Sequence, residues 1–169
     1  VTVADLVGQK LPDLELPSSR GGVRNVAQCP GLWVFFIYPY TGRPGHADPQ
    51  GWDFIAGAHG STSQAIAYRD LYVKFQETGI SLCGISNLSP EWQLEFSQRT
   101  ALPYELLSDQ DGQFASALQL QTFTAGSARF LTRRTLVSDN GLIVHDRREV
   151  DPPQHDAAAV LSWIAGRHQ

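Results

Sequence analysis

Apolar and polar positions along the chain alternate between two regimes. Leu32-Trp33-Val34-Phe35-Phe36-Ile37-Tyr38 is continuously apolar and aromatic, the pattern of a strand buried on both faces, and Pro39 stops it. Ile80-Ser81-Leu82-Cys83-Gly84-Ile85-Ser86 predicts a second strand and Tyr104-Glu105-Leu106-Leu107 a short third. Ahead of these, residues 13–16 and 23–27 read as short strands joined by the turn-forming Ser18-Ser19-Arg20-Gly21-Gly22. Residues 62–78 follow a helical period instead: Ala65, Tyr68, Leu71, Tyr72 and Phe75 recur on one side, and Gly79 suits the position after the last turn. Ser89-Pro90-Glu91 opens another helix with a serine cap, a proline at the first helical position and an acid near the positive end of the dipole.

Residues 113–120 predict a short helix. Residues 128–137 and 142–147 predict a hairpin about Asp139-Asn140-Gly141, whose Asn-Gly pair suits a tight turn. Alanine-rich residues 155–166 close the chain as a helix carrying Val160, Leu161, Trp163 and Ile164. Strands alternating with helices predict an α/β fold, a mixed sheet with covered faces, and no repeat divides residues 1–169 into more than one domain. Residues 40–60 break the alternation. They hold five glycines and two prolines with neither period, so they predict a long loop, a feature that in small domains often carries function.

Composition narrows the classes. A 42% apolar and 18% charged chain is ordinary for a globular protein, and 169 residues can bury a core without staples. No apolar stretch approaches the roughly 18–20 residues of a membrane span, and the first residues show no basic-then-apolar signal pattern. The net charge of −4, with no run of Lys or Arg, argues against nucleic acid as a partner. Two cysteines, Cys29 and Cys83, are too few for a disulfide scaffold and point to a reducing, cytoplasmic setting.

The candidate chemistry gathers at Gly60-Ser61-Thr62-Ser63-Gln64-Ala65. A side chain at the start of a helix, beyond the carboxyl end of a buried strand, meets free backbone N–H groups and a dipole that favours an anion. Ser61 stands there, and with Gln64 it also forms the Ser-x-x-Gln pattern of a capping box. Three further segments follow in order: Arg69-Asp70, Leu106-Leu107-Ser108-Asp109 and Arg133-Arg134-Thr135-Leu136-Val137. Together with Val7-Gly8-Gln9-Lys10-Leu11-Pro12, Tyr38-Pro39 and Gly84-Ile85-Ser86, these motifs resemble the peroxiredoxins, in particular the bacterioferritin-comigratory or peroxiredoxin Q branch.

The resemblance implies a thioredoxin-like fold with an N-terminal β-hairpin extension. It implies reduction of hydrogen peroxide or organic hydroperoxides through a cysteine sulfenic acid, with regeneration by a thiol partner such as thioredoxin or glutaredoxin. It implies no cofactor and no metal, and a monomer or homodimer. The peroxidatic cysteine of the family falls on Ser61. A serine hydroxyl is not ionised at neutral pH and has no counterpart to sulfenic acid chemistry, so the chain as written is expected not to turn over peroxide at this position. Either an inactive Cys-to-Ser variant of a peroxidase or a natural, redox-inactive binding or sensor module would carry this residue.

Other family positions depart as well. The Pro-x-x-x-Thr-x-x-Cys arrangement is not intact: Ala58 stands three residues before Ser61, and the long loop separates Pro39 from Ser61, leaving Thr41 as the candidate hydroxyl. The nearby resolving cysteine of the branch falls on Ile66. Cys83 sits mid-strand and Cys29 ahead of the long strand, at the end of the sheet away from Ser61, which points to a one-cysteine mechanism. The family's arginine falls on Arg133, on one face of its strand with Leu131 and Val137, with Arg134 on the other, solvated face. Arg69 reads as a salt-bridge partner within the helix or across a subunit boundary, and Trp52 as a pocket wall or a core residue. A hydrolase built on Ser61 lacks Gly-x-Ser-x-Gly and finds only His59 beside it. His46, Asp48 and His59 make a weak metal set, and His145 and His155 read as surface residues.

Overall fold

The computed structural model describes residues 3–167. Strands β1 (Glu15–Pro17) and β2 (Val23–Asn25) form the expected N-terminal hairpin. Then come β3 (Leu32–Ile37), helices α1 (Ser61–Asp70) and α2 (Tyr72–Glu77), β4 (Ile80–Ser86), α3 (Pro90–Thr100), β5 (Leu106–Ser108) and α4 (Gln113–Leu118). The chain ends with β6 (Thr122–Ala125), β7 (Ala128–Leu131), β8 (Arg134–Asp139), β9 (Leu142–Arg147) and α5 (Asp156–Arg167). The central sheet runs β5-β4-β3-β8-β9; β3, β4 and β5 are mutually parallel, β8 runs antiparallel to its neighbours β3 and β9, and β9 therefore runs in the direction of β3.

Alternation along β3 shows why its sequence is apolar throughout. Trp33, Phe35 and Ile37 enter one core with Cys29, Cys83, Phe114 and Leu136. Val34, Phe36 and Tyr38 enter the other, under α1, α2, α3 and α5. Phe36 stacks on Tyr68 of α1 with ring centroids 4.5 Å apart, a contact worth about 0.5–1.5 kcal/mol beyond its buried area. Gln93 of α3, fully buried, donates to Ser86 Oγ at 2.9 Å and to the Leu107 carbonyl at 2.8 Å, fastening the carboxyl ends of β4 and β5.

Two expectations are corrected. The helix read over 62–78 is interrupted at Leu71 (φ −101, ψ 6), giving α1 and α2. Residues 128–137 are not one strand: β7 pairs with β6 in a separate two-stranded sheet, and β8 joins the central sheet after a break at Thr132-Arg133. Leu131 therefore enters the core opposite the one holding Val137. The β6–β7 hairpin has a purpose in packing. Phe123, Ala125 and Phe130 form a third apolar cluster with Tyr40, Trp52, Ile55 and Ala58 of the long loop. From the other side, Trp92 Nε1 of α3 donates to the Thr41 carbonyl at 2.8 Å, and Arg99 Nη2 to the Gly42 carbonyl at 2.9 Å. The 40–60 loop is irregular but held on both flanks.

Candidate active site

The start of α1 and the start of β8 meet at the carboxyl end of β3, where open α/β sheets place their ligands. Gly60 leads into α1 with φ 111 and ψ 0, and a Cβ on it would fall 2.7 Å from Cγ of Pro153. Backbone conformation and space both demand glycine here. Gly60 is the cap, so Ser61 is the first helical residue and its hydroxyl caps nothing. The anticipated capping box does not form: the Gln64 backbone N–H goes to the Gly60 carbonyl at 2.9 Å, while its side chain is buried and turned to other partners.

The Ser61 hydroxyl, 3% exposed, accepts a hydrogen bond from Arg133 Nη1 at 3.0 Å. The same nitrogen donates to Gln64 Oε1 at 2.6 Å. Nη2 reaches the carbonyls of Gly57, Ala58 and His59 at 3.3, 3.4 and 3.1 Å. The guanidinium thus clamps the end of the loop to the first turn of α1. Burial pulls the Arg133 pKa down to about 10 against the pull of Asp156, which leaves it cationic at neutral pH. A buried cation and the uncapped N-terminus of α1 converge on one atom at position 61, favouring an anion there.

The other predicted residues are distributed as follows. Beside Ser61 a cavity of about 260 Å³ is walled by Tyr40, Asp48, Trp52, His59 and Thr62. Trp52 is both wall and core: it lines the cavity and packs edge-on against Phe130. Pro39 and Thr41 are buried but do not line the cavity; the Thr41 hydroxyl has no hydrogen-bond partner. Arg134 is not solvated as expected. It is as buried as Arg133 and pairs with Asp146 on the opposite face at 2.5 Å, because the N-terminal segment covers that face and Leu6 N–H also donates to Asp146. Arg69 pairs with Asp70 and donates to the Thr100 carbonyl at 2.8 Å, tying α1 to α3. His145 is not a plain surface residue either, since its ring stacks on Trp163 at 4.0 Å; His155 is exposed.

Cys29 and Cys83 are free and buried in the core across the sheet from α1, and burial pushes both thiols up, Cys83 strongly. Inert thiols on the far face are poor resolving partners for position 61. The hydrolase reading fails on chemistry: the hydrogen-bond partner of Ser61 is a guanidinium, which cannot accept its proton, and His59 Nε2 lies against Asp53 Oδ1 at 2.7 Å. Among the described residues no three His, Cys, Asp or Glu side chains gather as a metal site, and His46, Asp48 and His59 do not do so. Sequence reasoning missed Gln64 as a contact of Arg133 and missed Asp156 altogether. Both carried a signal, being polar residues on apolar helical stripes, with Ala65 and Tyr68 in one case and Val160 and Ile164 in the other.

Comparison with known proteins agrees with this geometry. A family model described as "AhpC/TSA family" matches residues 54–146, more than half of the chain and inclusive of Ser61 and Arg133. Peroxiredoxin Bcp of Bacillus subtilis is 26% identical over 159 residues, covering 91% of this chain and 92% of that protein. Chloroplastic peroxiredoxin Q of Arabidopsis thaliana is 32% identical over 104 residues, covering 61% of this chain and 41% of the relative. The crystal structure of peroxidoxin BcpB from Mycobacterium tuberculosis superimposes with a TM-score of 0.74 at 26% identity, over 92% of this chain and 94% of that one. With the thioredoxin-like sheet and the Arg133–Ser61 pairing in view, these likenesses assign the chain to the AhpC/TSA family, among its Bcp and peroxiredoxin Q-type peroxiredoxins.

Proposed function

We propose that position 61 is the peroxidatic position of a thiol-dependent peroxidase site, with Arg133 as its activating cation, and that the serine now there holds the site in an inactive form. The observation that carries this reading is the 3.0 Å hydrogen bond from a buried, cationic Arg133 to Ser61 Oγ. In the active form a thiolate at 61 attacks one oxygen of a hydroperoxide. The S–O bond forms as the O–O bond breaks, the departing oxygen leaves as an alkoxide or hydroxide that takes up a proton, and the sulfur is left as a sulfenic acid. An external thiol condenses with that acid, releasing water, and a second thiol reduces the mixed disulfide.

Arg133 serves both halves of the first step, holding the thiolate charged and offering a fork of N–H donors to the peroxide oxygens. Thr41 and Pro39, at the edge of the site, belong to its frame. The reductant is an outside thiol of the thioredoxin or glutaredoxin class, and the setting is a reducing one. The test is peroxide consumption with a dithiol reductant. The protein as written is expected to show none above the free reductant, and Ser61→Cys to consume hydrogen peroxide or an organic hydroperoxide. An inert Ser61→Cys protein would overturn the proposal and leave a binding module as the better description.

A further inference from the structure

Asp156, the first residue of α5, is a fully buried carboxylate at some remove from position 61, and its contacts lead there. Its Oδ2 accepts from Gln64 Nε2 at 3.1 Å, Tyr68 OH at 2.6 Å and Thr135 Oγ1 at 2.7 Å, and its Oδ1 from Arg147 Nε at 2.8 Å. Gln64 turns its other end to the site, its Oε1 accepting from Arg133 Nη1 at 2.6 Å. An amide between an anion and a cation has one favourable orientation, N–H toward the carboxylate and C=O toward the guanidinium. None of the hydrogen bonds made by Arg133 goes to a carboxylate: they end on Ser61, Gln64 and three main-chain carbonyls.

This arrangement resolves a conflict. A buried guanidinium needs a counter-charge. A carboxylate in direct contact would occupy the N–H groups aimed at position 61 and set a negative charge beside any anion formed there. We infer that Asp156 is a positioning residue for the site: it acts through Gln64, orienting the amide that aims Arg133 at position 61, and supplies the counter-charge one side chain away. Tyr68, Thr135 and Arg147 lock the carboxylate and thereby couple α1, β8, β9 and α5 to the placement of a single guanidinium. The inference rests on position 61 being the reactive position.

The test has two arms. In the protein as it stands, a crystal structure of Asp156→Ala should show Arg133 Nη1 withdrawn beyond hydrogen-bond distance of Ser61 Oγ, whereas Asp156→Asn, which can still accept from Gln64, should keep the contact. In the Ser61→Cys background, the pH dependence of alkylation by iodoacetamide reads the thiol pKa. Asp156→Ala should raise it by about one unit, or about threefold slower alkylation at pH 7 and about eightfold at pH 6, with Asp156→Asn within about 0.3 unit of its parent. Gln64→Leu should reproduce the Asp156→Ala shift, and the double variant should shift no further, since both act on one link. If Asp156→Ala is too unstable to purify, Gln64→Leu alone carries the prediction. An unmoved guanidinium and thiol pKa in these variants, with only the melting temperature lowered, would reduce Asp156 to a structural residue and overturn the inference. An ordinary thiol in the Ser61→Cys parent would instead count against the peroxidatic reading, and the first arm would still decide the link.

Discussion

Arg133 supplies the sharpest quantitative test of the site. A sulfur placed at the position of Ser61 Oγ would lie about as near to Arg133 Nη1 as the oxygen does, 3.0 Å in the structure. With charge centres about 4 Å apart and an effective dielectric near 20, the attraction between a thiolate and the guanidinium is about 4 kcal/mol, or roughly three pKa units. The uncapped start of α1 adds about 0.3–1 kcal/mol in the same direction. Burial works against both, since the residue at 61 is 3% exposed and a thiolate there loses hydration. Taken together, Ser61→Cys should carry a thiol near pKa 6.5, about two units below the ordinary value of about 8.5.

Adding Arg133→Met removes the attraction and leaves the burial, so the thiol should move to about 8.5 or above, and alkylation at pH 7 should slow roughly 25-fold or more. Arg133→Lys, which keeps the charge but loses the planar fork, should fall between. The pH profile of iodoacetamide labelling measures all three, with circular dichroism confirming the fold. A thiol at about 8.5 with Arg133 present would refute the electrostatic argument, and so would a less than threefold change on Arg133→Met in a folded protein.

Two further outcomes follow from the surroundings of the site. Gly60→Ala must place a Cβ 2.7 Å from Pro153 and hold alanine in the left-handed region, at a cost of roughly 1–3 kcal/mol, visible as a melting temperature lowered by several degrees. At Asp146, burial alone would raise the pKa, but the hydrogen bonds from Arg134 and the Leu6 amide outweigh it, so the carboxyl titrates below its ordinary value. Such a group stabilises the fold above its unfolded pKa of about 3.9, and that contribution disappears as pH falls through the lower folded value. Urea unfolding between about pH 5 and 2 should show this acid loss, and it should be flatter in Asp146→Asn; an unchanged slope would remove Asp146 from the account.

The sheet was legible because β3 alternates between two cores and so had to be apolar at every position, and because the Asn-Gly turn marks the β8–β9 hairpin. The niche at Ser61 was legible from strand, loop and helix in that order. The joint at Thr132-Arg133 was not, since no glycine or proline punctuates it and residues 128–137 read as one strand. That joint sets the environment of Arg133, which is why the resemblance could direct it to position 61 while Gln64 and the loop carbonyls went unread. Gln64 was misread because a local capping pattern and a long-range hydrogen bond use the same residue type. Asp156 reaches the site from 92 positions away from Gln64 along the chain, a distance that no local pattern spans.

The cluster of Tyr40, Trp52 and Ala58 with Phe123, Ala125 and Phe130 stands apart from the two cores that sandwich the sheet. The wall beside position 61 is therefore anchored in a cluster of its own, joined to the start of α1 through Arg133 and the Ala58 carbonyl. Larger or smaller side chains at Phe123 or Phe130 would reshape the chamber through Trp52, while β3 and α1 keep the register set by their own cores.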